Sequence, residues 1–409
     1  MRRTTGTLST RTRGVAGLAL AAFALTACGG GGDDTASGGG GGEGGGEPIK
    51  VGVLSDLSGA TADVGTPYAE GIRGYADWIN SNGGIEGRQL ELLANDYGYK
   101  VPNAEQLYSQ YVSEEVVAVQ GWGTADTEAL RQKVTQDELP FMSASYAETL
   151  VDPEETPYNF VVASTYSDEI RVALKQIAEE VGDARTEVAV FHNDSPFGTA
   201  PIADGEAYIE EQGYDMGYEA YPMPAGATDY AGILSQANAQ GAKYAVVQNV
   251  SGPGALLARN IEQQGLDMTV VCLVWCSDQG YITTAGQAAE GTIMVTPWAP
   301  PTVDAECFAE INEYLESKGS SMEEKGLHYS QGWYTMHVMA EGLRKLIEDG
   351  EEVSGANLKT ALEELGSVST GGVSADVEFS AESHKGMSSS GVYTVEGGEM
   401  VQVAESVKP

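Results

Sequence analysis

The sequence predicts an α/β protein of two Rossmann-like lobes with parallel sheets, joined by a three-strand hinge. Three observations predict it. From Ile49 onward, short runs rich in β-branched residues alternate with longer amphipathic runs, the pattern of a doubly wound parallel sheet. After residue 165 the same pattern starts afresh. The chain beyond Pro48, about 360 residues, is also longer than one hydrophobic core organises, and so divides into two lobes.

In the first half, residues 49–54, 90–95, 116–120 and 140–143 read as strands. Between the first two, residues 66–82 place Tyr68, Ile72, Tyr75 and Ile79 on one helical face, and Gly83-Gly84 stops that helix. Residues 103–113 and 127–137 behave similarly. In the second half, strands at 188–191, 216–221, 244–249 and 270–274 alternate with helices at 168–181, 199–212, 230–240 and 254–264. Thr165 with Asp168 supplies a capping box for the helix that opens this half. Residues 291–296 add a strand, and 327–348 a long helix on which Trp333, His337, Ala340 and Leu343 share a face. Trp78 and Trp333, at helical spacing, are expected in the core. Residues 372–403 alternate between Gly-rich turns and read as short β structure. Crossings between lobes are expected near 165, 297 and 386. Lobe 1 is then 49–165 plus 296–386, and lobe 2 is 166–295 plus 387–409.

The amino terminus sets the compartment. Arg2, Arg3, Arg11 and Arg13 precede an apolar run at 15–25, too short for the ~20 residues that span a bilayer, so residues 1–27 read as a signal peptide. Leu25-Thr26-Ala27-Cys28 looks like a bacterial lipobox, in which Cys28 is lipidated and becomes the new first residue. The alternative is an ordinary cleavage site beside an incidental cysteine. Two acyl chains hold a protein stably on a membrane surface, so the expected location is the outer face of the cytoplasmic membrane, with the lipid as sole membrane contact. Residues 28–47, mostly glycine, form a flexible linker.

The formal net charge of −38 at pH 7 repels nucleic acid and anionic lipid, which excludes both as partners. Export permits one disulfide among Cys272, Cys276 and Cys307. Cys276 with Cys307 is the expected pair, because Cys272 lies in an apolar strand. The four histidines stand singly, so no metal is expected.

In an open parallel sheet, ligands collect beyond the carboxyl ends of the strands, where loops enter helix N-termini with unpaired amides. Residues 55–66 form one such loop, rich in Gly, Ser, Asp and Thr. Gly121-Trp122-Gly123-Thr124-Ala125-Asp126-Thr127 combines flexible backbone, hydroxyls, one acid and a large aromatic, which suits an anionic or zwitterionic small molecule. Ser145, Tyr146 and Ala147 repeat the idea one strand later. Tyr166, at a lobe crossing, either lines the cleft or packs the hinge. Trp122, Trp275 and Trp298 lie in loops or just past strand ends, open to a pocket or a packing role.

A wider resemblance spans the chain beyond the linker. Residues 49–54, Leu57-Ser58-Gly59, Gly65, Glu70-Gly71, Trp78-Ile79-Asn80 and Gly83-Gly84-Ile85-Glu86-Gly87-Arg88 resemble the opening of the branched-chain amino-acid (Leu/Ile/Val) binding proteins of ABC transporters. Pro140-Phe141-Met142-Ser143, Tyr158-Asn159-Phe160, Phe197-Gly198 and Ala289-Glu290-Gly291 continue it. The resemblance implies a type I periplasmic-binding fold, hinged closure on a small amino acid or related carboxylate, and delivery to permease and ATPase subunits by a monomer without cofactor. It lays the α-carboxylate clamp on residues 124–127 and 145–147, a pocket aromatic on Phe197, and further contacts on Asn249, Ser251 and Trp275. Where relatives carry an acid for the ligand's ammonium, this chain has Val274 or Trp275, with Asp278 a few residues on. Asp126 either replaces that acid or faces solvent. Aromatic carboxylates and short amides therefore also fit.

Two other functions compete with this reading. No phosphate loop, nucleophile elbow or His-Glu-x-x-His motif supports an enzyme. A ligand-sensing lipoprotein of the same fold stays open, although a spanning receptor helix and a DNA-binding head are both missing from the pattern.

Overall fold

The structure is a computed structural model that describes residues 46–302 and 308–409. The expected signal peptide at 1–27, the lipidation site Cys28, nearly all of the linker and Cys307 lie outside the described residues.

The first sheet is parallel throughout, in the order β2-β1-β3-β4-β5. Its strands are β1 (Ile49–Ser55), β2 (Leu90–Asp96), β3 (Ala118–Gly121), β4 (Phe141–Ser143) and β5 (Asn159–Phe160). The helices between them are α1 (Ala62–Ser81), α2 (Val101–Ser113) and α3 (Thr124–Gln136). Burial along β1 and β3 is nearly continuous, as it must be for strands covered on both faces. Helix α1 starts four residues ahead of the predicted point. The buried carboxylate of Asp56 accepts hydrogen bonds from the amides of Gly59 and Thr61 and from the Thr61 hydroxyl, which draws the loop tight and lets the helix begin at Ala62, with Pro67 inside it. Gly83 and Gly84 end it at φ +102° and +80°, as their sequence position predicted.

After β5 the chain crosses to the second sheet through α4 (Tyr166–Val181), whose N-terminus carries the predicted capping box between Thr165 and Asp168. There follow β6 (Thr186–Asn193), α5 (Pro196–Thr199), α6 (Ile202–Gln212), β7 (Met216–Met223), α7 (Ala231–Gln240), β8 (Tyr244–Gln248), α8 (Ser251–Gln264), β9 (Thr269–Cys272), α9 (Gln279–Ala285) and β10 (Ile293–Thr296). The predicted helix at 199–212 is thus two helices, broken around Pro201. The chain then returns to the first sheet for α10 (Phe308–Ser317), α11 (Met322–Lys325), α12 (Leu327–Glu348) and α13 (Gly355–Glu363). It crosses a third time into the antiparallel hairpin of β11 (Ser390–Glu396) and β12 (Glu399–Val407), completing a seven-stranded sheet ordered β12-β11-β10-β9-β8-β6-β7. Two apolar clusters cover the two faces of this sheet, and a third, larger one surrounds the first sheet. Among the described residues no helix is long and apolar enough to cross a membrane.

Helices α1 and α12 touch backbone to backbone. A Cβ added at Gly332 would lie 2.0 Å from the carbonyl oxygen of Tyr68, and one added at Gly71 would lie 2.0 Å from that of Tyr329. This close approach carries the start of α12, and with it His328, to the gap between the two sheets.

The disulfide differs from expectation. Cys272 pairs with Cys276, their Cα atoms 5.1 Å apart, in place of the expected Cys276–Cys307 pair. Strand β9 stops at Cys272, short of the predicted 274, and a 3₁₀ turn at Val274–Cys276 folds back so that the two side chains meet. Burial of Cys272 in the strand does not prevent pairing with a residue in the turn that follows.

Candidate functional site

The parallel strands of both sheets point their carboxyl ends at one cleft, and a cavity of about 20 Å³ lies there. Thr61, Tyr99, Trp122, Gly123, Thr124 and Ala144 wall it from loops of the first sheet. Tyr166, Phe197, Val250 and Trp275 wall it from the other side.

The floor is the start of α3. Gly123 is its N-cap, in extended backbone, and the first helical amides have no carbonyl a turn behind them to bond. A Cβ at Gly123 would meet the Asp126 carboxylate at 2.4 Å and the Tyr97 hydroxyl at 2.7 Å, so only glycine fits this entry. Hydroxyls from β4 and α3 are linked beside it. Thr124 and Ser145 share a 2.7 Å hydrogen bond, Thr127 donates to the Gly123 carbonyl at 2.6 Å and to Ser143 at 3.1 Å, and the Ser145 amide donates to Ser143 at 2.8 Å. Asp126 is 1% exposed, which corrects the solvent-facing alternative. Its Oδ1 accepts from the Tyr97 hydroxyl at 2.8 Å, and its Oδ2 has no partner. Burial pushes its carboxyl up to about 7, against the opposing pull of the Tyr97 hydrogen bond.

The walls are aromatic. Trp122 donates its indole N–H to Thr61 at 2.8 Å, and Thr61 is itself fixed by Asp56. Trp275 lies between Tyr146 and His328, with ring centroids at 5.6 and 5.3 Å and planes within 30° of parallel. It meets Trp122 edge-on at 5.0 Å and donates to the Tyr166 hydroxyl at 3.0 Å. Tyr166 in turn donates to the Ala144 carbonyl at 3.3 Å and stands edge-on to Phe197 at 5.4 Å. The turn bearing Trp275 is tied to α4, where Glu169 accepts from the Val274 amide at 3.4 Å. Burial raises the phenols of Tyr99 and Tyr166 well above 10, so both stay neutral.

Of the residues predicted from sequence, Trp122, Gly123, Thr124, Tyr166, Phe197 and Trp275 reach the cavity wall. Ala125, Asp126, Thr127, Ser145, Tyr146 and Ala147 stand behind it, on or beside the α3 start and the loop after β4. Asn249 points away. It accepts from Asn193 at 3.1 Å and from the Val250 amide at 2.9 Å, leaving Val250 on the wall. Ser251 and Asp278 belong to a separate cluster, in which Asp278 caps α9 through the Tyr281 amide at 2.6 Å and accepts from Ser251. Trp298 is buried away from the wall.

Three participants stand outside the residues predicted from sequence. Thr61 belongs to the ligand-facing loop at 55–66, one of several small polar residues there with no local feature to mark it. Tyr99 follows β2 in another strand-end loop and adopts the left-handed region at φ +56°. His328 had no local signal, since its partner is fifty positions away. Its Nε2 lies 2.5 Å from Asp278 Oδ2, and its Nδ1 2.6 Å from Gln331. Burial alone would lower its pKa, but the hydrogen bond and charge of Asp278 outweigh that and raise it. Nearby, Asp63 of α1 accepts from the Gly252 amide at the start of α8, 2.9 Å away. The two sheets are therefore bridged by polar contacts beside an aromatic cavity.

Comparison with known proteins agrees with this architecture. A curated Leu-, Ile-, Val-, Thr- and Ala-binding protein of Pseudomonas aeruginosa is 24% identical over 314 residues, 76% of this chain and 82% of that one. A branched-chain amino acid ABC transporter protein from Thermus thermophilus with bound valine superposes with TM-score 0.84 at 22% identity, covering 90% of this chain and 97% of its own. A fatty acid ABC transporter substrate-binding protein from Thermomonospora curvata superposes at 0.78 with 17% identity, covering 89% and 93%. These structural likenesses establish a type I periplasmic-binding fold. The family profile described as periplasmic binding protein matches residues 48–399, nearly all of the described chain, and this protein belongs to that family.

Proposed function

We propose that this protein is the extracytoplasmic solute-binding subunit of an ABC importer, which holds an amino acid or related small carboxylate in the cleft and delivers it to permease and ATPase subunits. The observation that carries this reading is the cavity at the carboxyl ends of both sheets, walled from both sides and floored by the α3 N-terminus. The free amides of that helix start, with the Thr124 and Ser145 hydroxyls, suit a carboxylate. Trp122, Tyr166, Phe197 and Trp275 supply apolar area for the rest of the ligand. The aliphatic hydroxyls on the wall belong to Thr61 and Thr124, which bond to Asp56 and Ser145 and not to an imidazole, so the cleft suits binding and not catalysis. Names of relatives that bind branched-chain amino acids support the same ligand class.

In this reading lobe 1 is 49–165 plus 296–386, lobe 2 is 166–295 plus 387–409, and the lobes rotate about the three crossings. A lipid on Cys28 holds the monomer at the outer face of the cytoplasmic membrane, with residues 28–47 as leash. The test is thermal unfolding of residues 48–409 against a panel of amino acids and small carboxylates, after unfolding and refolding to strip carried-over ligand. A ligand bound only by the native state at about 100 times its Kd stabilises by about 2.7 kcal/mol, a clear shift in midpoint. A panel without any shift would sink the proposal.

A further inference from the structure

We propose that the cleft prefers a small carboxylate bearing a quaternary ammonium, an N-permethylated amino acid of the N,N,N-trimethylglycine type, over a free α-amino acid. This rests on reading the cleft as the solute site and names the chemistry that site selects. Five of the ten wall residues, Tyr99, Trp122, Tyr166, Phe197 and Trp275, are aromatic, and they come from both sides of the cleft. None of the ten carries a formal charge.

A primary ammonium brings three N–H donors that need acceptors once water is gone. The threonine and Tyr166 hydroxyls and the Ala144 carbonyl on this wall are already engaged. Thr61 receives the Trp122 N–H and donates to Asp56, Thr124 is paired with Ser145, and the Ala144 carbonyl accepts from Tyr166. No carboxylate lines the wall: Asp278 serves His328, Ser251 and the Tyr281 amide, Glu169 accepts from the Val274 amide through one oxygen, and Asp126, with one oxygen unpaired, stands behind Gly123. A quaternary ammonium has no N–H to satisfy. Its charge is met by the negative faces of aromatic rings, most strongly by tryptophan, and this gains strength in a desolvated site.

The sign of the local charge favours the same end group over an uncharged tail. Asp56 is buried directly behind the wall, at Thr61, and the nearby imidazole of His328 is matched by Asp278. A positive centre among the rings is therefore drawn in, while the ligand's carboxylate turns to the α3 amides. The cavity of about 20 Å³ is smaller than such a ligand. Entry requires Trp275 to part from Trp122, now 5.0 Å away, and from the His328 ring stacked on it, with the methyl groups taking over the ring faces so freed.

The experiment is calorimetric titration of stripped wild-type protein with glycine, N,N-dimethylglycine, N,N,N-trimethylglycine, 3,3-dimethylbutanoate and valine. 3,3-Dimethylbutanoate replaces the charged nitrogen with carbon at nearly the same shape. The expected result is affinity that climbs with methylation and falls about tenfold or more for the carbon analogue. Trp275→Phe should keep that selectivity ratio and Trp275→Leu should shrink it, a readout independent of how much protein folds. Equal or tighter binding of 3,3-dimethylbutanoate overturns the inference, as does tightest binding of valine, and in both cases the solute-binding reading stands. If nothing in this series or the wider panel binds, both fall together.

Discussion

Asp126 shows what a single buried acid does to this protein. In the unfolded chain its carboxyl titrates near the ordinary value of 3.8, and in the fold burial holds it at about 7. The folded state therefore keeps a proton that the unfolded state has lost, and stability falls as pH rises between these two values, then levels off above the upper one. The cost is on the order of a few kcal/mol, partly offset by the Tyr97 hydroxyl. Asp126→Asn keeps an oxygen for Tyr97 and removes the titration. Urea midpoints measured from pH 4 to pH 8 should show the wild type losing stability relative to the variant across that window, and parallel curves would refute the assignment. Asp126 was legible as the acid at the start of a helix, but its burial was not, because that depends on Tyr97 arriving from a different loop.

At the scale of elements, the contact of α1 with α12 decides where the cleft-facing residues lie. Gly71 and Gly332 let the two backbones meet, and nothing in either helix's own periodicity announces it. Gly332→Ala puts a methyl into the Tyr68 carbonyl, so the helices must part. The expected loss is about 1 to 3 kcal/mol in urea unfolding, with weaker ligand binding because His328 moves away from Asp278 and Trp275. An unchanged unfolding midpoint would show that the helices separate freely. The capping box at Thr165 is the opposite case. It was readable from four consecutive residues, because both of its hydrogen bonds are local.

On the scale of the whole molecule, the structure is a closed arrangement. His328 with Asp278, Asp63 with the Gly252 amide, and the Trp122–Trp275 contact all span the two sides of the cleft. A ligand walled from both sides can enter only if these contacts open, and it then favours the closed state through contacts made with both lobes. Small-angle scattering should show the stripped protein compacting at saturating ligand, and His328→Ala should need more ligand for the same compaction. A radius of gyration independent of ligand would rule out hinged closure. The acidic surface acts at this scale too, keeping like-charged molecules apart in solution.

The sequence by itself determined the alternation of strands and helices, its restart after residue 165, the family resemblance, and the loops in which Trp122, Thr124 and Trp275 would lie. These follow from period, local capping and turn chemistry, which act over a few residues. Only the tertiary structure decided that Tyr99 and Val250 wall the cavity while Asn249 turns away, that Cys272 closes on Cys276, and that His328 meets Asp278. Each of those outcomes depends on where a strand stops or on which distant backbone comes near, and side-chain direction at a loop is set by packing between elements that no local pattern encodes.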